Sequence, residues 1–258
     1  VTGVQTCALP IFSLVNLLLV SDALGMDSKL YVAFIDFRKA YDFVPHTGLF
    51  FKMLRYGMGG CLFKAIYSIY IYVLTCTIDI VHFGNYSWSQ VITQCVGVSS
   101  RQGCILSPCL FSIYISDLPL FFKEKGCKGV WLHDTYIHAL LYADDGALLA
   151  SSATDLQLML DVLKMYCSQW RMHVNVGKTK IMVFGSGCNK KWRDENLPAF
   201  SYNDEIVEVV DEFKYLGVFF HFTGSYLHAM KYRLLQAKRS FAIWWRKRSE
   251  EHTSELQS

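Results

Sequence analysis

The chain has 258 residues, 52% of them hydrophobic, 15% aromatic and 18% charged, with 25 basic against 22 acidic residues for a net charge of +3. That length suits one domain of ordinary size with a substantial core, and so small a charge does not by itself identify a polyanionic partner. The longest apolar run, residues 65–78, falls well short of the ~18 residues of a membrane-spanning helix, and residues 110–122 are interrupted by Asp117 and Pro119.

Both ends read as foreign to the rest. Residues 1–11 (VTGVQTCALPI) and 248–258 (RSEEHTSELQS) back-translate to complementary DNA strands, which two unrelated peptides do not do. They are expected to be translated sequencing adapter, to be set aside in reasoning about the fold. Residues 12–247 are then the natural part, a fragment whose limits need not be natural termini. Setting aside Arg248, Glu250, Glu251 and Glu255 leaves 24 basic against 19 acidic residues, a net +5.

From the N-terminal side, residues 12–23 have the apolar spacing of a helix stopped near Gly25, followed by a buried strand over 30–35. Pro45 opens a helix to Arg55 that Gly57 ends, and 61–71 form a second helix. Two β-rich runs, 74–81 and 88–96, are joined through Gly84-Asn85 as a hairpin. A loop over 97–106 leads to Ser107-Pro108, a helix start, with the helix running to about Asp117. Apolar runs 137–141 and 146–150 flank Tyr142-Ala143-Asp144-Asp145. A helix over 154–171 follows, with Leu156, Met159, Leu160, Leu163 and Cys167 on one face. Strands over 180–184 and 215–220 enclose a polar loop, 185–203, and 225–247 form one amphipathic basic helix. This order predicts an α+β fold, an antiparallel sheet with helices on one face.

Of nine cysteines, Cys7 lies in the adapter segment; the other eight include no CxxC pair and no cysteine–histidine ladder of zinc spacing. They read as reduced and mostly packed. His133, His138, His221 and His228 have no metal-site spacing. The carboxylates are different. Asp144 and Asp145 sit side by side at the tip of a hydrophobic strand pair, and Asp36 leaves the end of another strand. Adjacent acids repel, and holding them between buried strands makes sense when divalent cations offset the charge. Three acids on strand ends are the protein half of a two-metal phosphoryl-transfer site.

The order FIDFRKAYD (34–42), RQGCILSP (101–108), YADD (142–145), GKTKIMVF (177–184) and FKYLGV (213–218) resembles the palm of a reverse transcriptase, most closely those of non-LTR, LINE-type retrotransposons. The resemblance runs from about residue 30 to 224. It implies a polymerase palm with partial fingers over 12–224 and the start of a truncated thumb or connection helix over 225–247. The implied activity is RNA-directed DNA synthesis on a primer 3′ end, with an RNA template, a DNA primer and dNTPs as partners, two Mg²⁺ ions with Mn²⁺ as a substitute, no membrane, and an intracellular setting, nucleus or cytoplasm. Asp36, Asp144 and Asp145 would be the catalytic acids and metal ligands, and Lys178 would protonate or neutralise the leaving pyrophosphate. Tyr41 would lie beneath the incoming sugar and exclude a 2′-hydroxyl. Gln102 and Gly103 would face the templating base and nucleotide, with Tyr142 beside them in the substrate set. Tyr215, Leu216 and Gly217 would grip the primer.

Where relatives run GV, one basic residue, then QG, this chain carries two more, Ser99-Ser100, which bears on template positioning. A group II intron type reverse transcriptase shares YADD and QG, although FKYLGV and the KTK spacing lean to the LINE type. An inactive remnant that at most binds nucleic acid is the other alternative, and the isolated fragment is expected to be inactive. Trp244-Trp245 with Arg246 read as a truncated core helix or as a stacking platform for nucleic acid.

Overall fold

In the computed structural model, the described residues are 29–41, 44–75, 106–185, 188, 190–225 and helical positions between 230 and 245. The expected adapter segments, the helix over 12–23, most of the hairpin over 74–96, and Gln102 and Gly103 with their loop lie outside them. In chain order the elements are β1 (Leu30–Asp36), α1 (His46–Arg55), α2 (Gly60–Thr75), α3 (Ser107–Ile115), α4 (Leu118–Glu124), β2 (Val130–Leu132), β3 (Thr135–Ile137), β4 (Ala139–Tyr142), β5 (Asp145–Ala150), α5 (Ala153–Gln169), β6 (Lys180–Phe184), α6 (Lys190–Asn196), β7 (Ser201–Tyr202), β8 (Glu205–Ile206), β9 (Glu208–Val209), β10 (Glu212–Tyr215) and β11 (Val218–His221).

The central sheet has five strands in the order β4-β5-β1-β6-β9. Its first three pairings are antiparallel, as expected, while β6 and β9 run parallel at the edge. β1 is apolar at six consecutive positions because both of its faces are covered. Tyr31, Ala33 and Ile35 belong to the large core shared with the helices. Leu30, Val32 and Phe34 belong to a second core with Tyr215, Val218 and Phe220 of the β10–β11 hairpin. Helices therefore cover one face of the sheet and a β-hairpin packs on the other.

Local chemistry sets the helix ends. Gly57, at φ 73, terminates α1, a conformation open to glycine without steric cost. Ser152 caps α5, accepting from the Asp155 N–H at 3.1 Å and donating to Asp155 Oδ2 at 2.5 Å. The predicted apolar stripe of α5 is buried.

Four expectations need correction. Leu74 and Thr75 are helical, because the apolar run of α2 continues unbroken and overrides their strand propensity. The stretch after Asp117, to which the sequence pattern assigns no element, forms α4 with Pro119 in its first turn, where its missing N–H has no partner to lose. The stretch 185–203 contains α6 and β7 rather than only loop, α6 being drawn in as Arg193 is buried against Asp211. Residues 215–220 are not one strand: Leu216 and Gly217, at φ 49 and 79, turn the chain between β10 and β11.

Among the described residues no helix is long and apolar enough to cross a membrane. Of the described cysteines, Cys127, Cys167 and Cys188 are buried while Cys61 and Cys109 are exposed, all free thiols. Trp244 and Trp245 are exposed and pack near Phe241, not in a core.

Candidate active site

The β4–β5 hairpin closes on Tyr142 opposite Asp145, leaving Ala143 and Asp144 as its two-residue turn. Ala143 takes φ 52, a left-handed conformation that costs a non-glycine residue ~1 kcal/mol. That turn lifts Asp144 out of the sheet. Across β5, the register sets Asp145 directly opposite Asp36 at the end of β1, and opposed residues of an antiparallel pair have Cα atoms about 4.5–5.5 Å apart. Positions separated by more than a hundred residues in sequence thus share one sheet edge.

Asp36 is held by the segment between α5 and β6. The Arg38 N–H donates to the His173 carbonyl at 2.7 Å and the Asn175 N–H to the Asp36 carbonyl at 2.8 Å, with a bridge between Phe37 and Val174. The Asp36 N–H donates to Thr179 Oγ1 at 3.3 Å, and the Asn175 side chain hydrogen-bonds the Asp36 carboxyl. Lys178 Nζ stands 4.0 Å from Asp36 Oδ2 on a side chain that is 70% exposed.

Asp144 has a different partner. The Tyr41 hydroxyl donates to Asp144 Oδ1 at 2.6 Å, and the Tyr41 ring packs edge-on against Phe111 of α3. The three acids share one region, and among the described residues no three His, Cys, Asp or Glu side chains are arranged to hold a metal ion. They remain within electrostatic reach. Burial, then the charges of Asp144 and Asp36, push the Asp145 carboxyl up to about 6. Burial also raises Asp36, with Asp144 adding to the rise while Lys178 and Asn175 oppose it. The phenols of Tyr41 and Tyr215 are raised by burial and by Asp144 and Asp145.

A cleft of about 420 Å³ opens beside the acids, lined by Asp36, Asp145, Lys178, Lys214, Tyr215 and Leu216 among others. Its far wall is the β10–β11 turn. The buried Tyr215 ring lies 4.8 Å from that of Phe34, so β1 carries Asp36 at its end and supports the hairpin from beneath. The structure thus brings Asp36, Asp144, Asp145, Tyr41, Lys178, Tyr142, Tyr215 and Leu216 to one end of the sheet, with Gly217 in the adjoining turn. Asn175, Thr179 and Lys214 were not singled out from the sequence. They lie in or beside the blocks that carry Lys178 and Tyr215, and only the fold shows their contact with Asp36 or the cleft.

Comparison with known proteins covers this same region. The sequence model described as reverse transcriptase (RNA-dependent DNA polymerase) matches residues 9–220. Among curated relatives, the RNA-directed DNA polymerase from mobile element jockey of Drosophila melanogaster is 26% identical over 202 residues, 75% of this chain and 20% of the relative. The jockey protein of Drosophila funebris is 30% identical over 203 residues, with the same coverage. A retrovirus-related Pol polyprotein from type-1 retrotransposable element R2 of Nasonia vitripennis is 29% identical over 200 residues, 76% of this chain and 18% of the relative. The chain spans about a fifth of the length of these relatives. Since the matched stretch takes in β1, the carboxylate hairpin, the segment that holds Asp36 and the wall of the cleft, this chain belongs to the reverse transcriptase (RNA-dependent DNA polymerase) family.

Proposed function

We propose that the protein is the polymerase portion of a non-LTR retrotransposon enzyme that extends a DNA primer along an RNA template. The observation that carries this reading is the register that opposes Asp36 to Asp145, with Asp144 in the adjoining turn, at the mouth of a cleft edged by Lys178 and Lys214. Curated relatives named for jockey and R2 elements favour the non-LTR type over a group II intron type. On this reading the sheet and its helices are a polymerase palm with partial fingers over 12–224, and 225–247 begin a thumb or connection. Residues 1–11 and 248–258 are set aside as adapter.

The donor set fits hard divalent cations. Three carboxylates supply oxygen ligands, and burial together with the charges of Asp144 and Asp36 holds the Asp145 carboxyl near 6. Asp36, Asp144 and Asp145 would hold two Mg²⁺ ions, or Mn²⁺ in their place, which when bound would acidify a primer 3′-hydroxyl and neutralise the departing pyrophosphate.

Other residues divide the remaining tasks. Lys178, exposed and 4.0 Å from Asp36, can reach a phosphate without leaving the cleft. The Tyr41 ring lies beneath the sugar and excludes a 2′-hydroxyl, while Tyr142 contributes to the substrate side of the hairpin. The turn of Tyr215, Leu216 and Gly217 bears on the primer end. Gln102 and Gly103 would line the templating base, where glycine permits close backbone approach.

Primer extension tests the reading. In the full-length parent protein, Asp144→Asn is expected to abolish dNTP addition on an RNA template while circular dichroism and melting stay near those of the parent. Retained extension would end the assignment; nucleic-acid binding without extension by the unsubstituted parent would mark an inactive remnant.

A further inference from the structure

The ladder between β1 and β6 stops at Phe34 opposite Lys180, short of Asp36. On that side the backbone N–H and C=O of Asp36 need other partners, and a single turn supplies both. The Asp36 N–H donates to Thr179 Oγ1 at 3.3 Å, and the Asn175 N–H donates to the Asp36 carbonyl at 2.8 Å. The turn also closes on itself, the Lys178 and Thr179 N–H groups donating to the Asn175 carbonyl at 3.1 and 2.9 Å. The Asn175 side chain hydrogen-bonds the Asp36 carboxyl, and Lys178, carried on the same turn, places Nζ 4.0 Å from Asp36 Oδ2. Resting on the reading above, we propose that Asn175 and Thr179 are positioning residues for nucleotidyl transfer, a clamp that fixes Asp36 at the end of β1 and seats Lys178 beside it, so that acid and ammonium enter the cleft as one preformed unit.

The clamp has a load to bear. On the β5 side Asp36 stands directly opposite Asp145, and like charges in opposed positions of a sheet destabilise the pairing. A strand end pushed from one side and held from the other keeps its place. The holding groups are themselves fixed, since Thr179 is buried and the Asn175 carbonyl is occupied by two amides. Placement matters here because a displacement of ~1 Å at a reacting group can cost about two orders of magnitude in rate.

Thr179 also fills space, and the choice of replacement separates the two roles. Valine keeps the shape of threonine and loses the oxygen, whereas serine keeps the oxygen and loses the methyl group. A residue that only packs is better replaced by valine; one that holds the Asp36 N–H is better replaced by serine.

The test measures Mn²⁺ binding to the chain without nucleotide, following the free ion by electron paramagnetic resonance, and primer extension by the full-length parent protein. Thr179→Val and Asn175→Ala are each expected to weaken Mn²⁺ binding roughly tenfold and to lower kcat by a similar factor, with the KM for primer little changed. Thr179→Ser should behave like the unsubstituted protein in both measurements. Unimpaired binding and turnover in either of the first two variants overturns the role of the residue replaced, and a serine variant as impaired as valine reduces Thr179 to packing. Circular dichroism checks the fold of each variant. If Thr179→Val does not fold, Asn175→Ala decides, because Asn175 is only half-buried and its backbone bonds survive the change. Asp36→Asn tells this inference from the reading beneath it. That change should weaken Mn²⁺ binding strongly; if it does not, the cation-site reading itself fails, whereas a strong effect at Asp36 with none at Asn175 or Thr179 removes the clamp alone.

Discussion

An ionised Asp145 is costly in the cation-free protein, since its carboxyl is half-buried and faces Asp144 and Asp36. Its folded value of about 6 lies above the ordinary 3.8. Between those values the folded state binds more protons than the unfolded one, so the relief is complete below pH ~4 and is lost as pH rises through 6. At face value the shift is worth ~3 kcal/mol, which solvent screening of a half-buried group reduces to ~1 kcal/mol. Asp145→Asn should therefore raise cation-free stability at pH 7 by about 1 kcal/mol. In urea melts taken from pH 4 to pH 8, that gain should vanish at the acid end. An equal gain at every pH would remove the electrostatic account. Asp36 and Asp144 are each tied to specific neighbours, Asn175 and Lys178 for one and Tyr41 for the other, so an identical residue type meets three different environments within one site.

Among the elements, the β10–β11 hairpin depends on β1 for its support. Phe34 projects from the side of β1 opposite the helices and meets Phe213 at 4.9 Å, Tyr215 at 4.8 Å and Phe220 at 6.0 Å. Two isolated strands are only marginally stable in water, so this aromatic contact is what keeps the cleft wall in position. Phe34→Ala should cost about 3–4 kcal/mol and should expose the hairpin to protease before the sheet core. In extension assays of the parent protein, the same change should raise the apparent KM for primer more than it lowers kcat. Cleavage that begins elsewhere would show that the hairpin holds its place without Phe34. The segment between α5 and β6 works differently, gripping Asp36 through backbone hydrogen bonds and the Thr179 hydroxyl rather than through apolar area.

Across the whole molecule, the helical layer is knitted together by a buried lysine. Lys52 of α1 donates to the Tyr114 carbonyl, to Asp117 Oδ1 at 2.5 Å and to the Tyr166 hydroxyl at 2.7 Å, and its ammonium lies 3.8 Å from the Trp170 ring centroid. Tyr166 in turn donates to Asp117. Burial lowers the Lys52 ammonium to about 8, against the pull of Asp117. One side chain thus joins α1, the α3–α4 junction and the C-terminal end of α5, from which the segment that grips Asp36 departs. Lys52→Ala should destabilise the molecule by about 3 kcal/mol, because it leaves the Asp117 carboxylate without its buried cation. Tryptophan fluorescence and far-ultraviolet circular dichroism should shift together. A loss confined to one probe would show that the node serves only its own corner.

Periodicity and end signals made much of the architecture legible. The apolar run of β1, the stripe of α5, the Ser107-Pro108 start and the ordered motif blocks all report chemistry that acts within a few residues of itself. The same logic missed α4 and α6. Pro119 opens one of these short helices rather than breaking it, and the other is held by an ion pair between residues 193 and 211. The sequence alone singled out the residue types proposed to carry the chemistry, three acids, a lysine and a tyrosine in the order of a reverse transcriptase. Only the tertiary structure decided how they meet. Strand register brings Asp36 opposite Asp145, and a turn strained at Ala143 delivers Asp144 to Tyr41. Register and hydrogen-bond choice are settled by packing between distant segments, to which no local pattern in the chain responds.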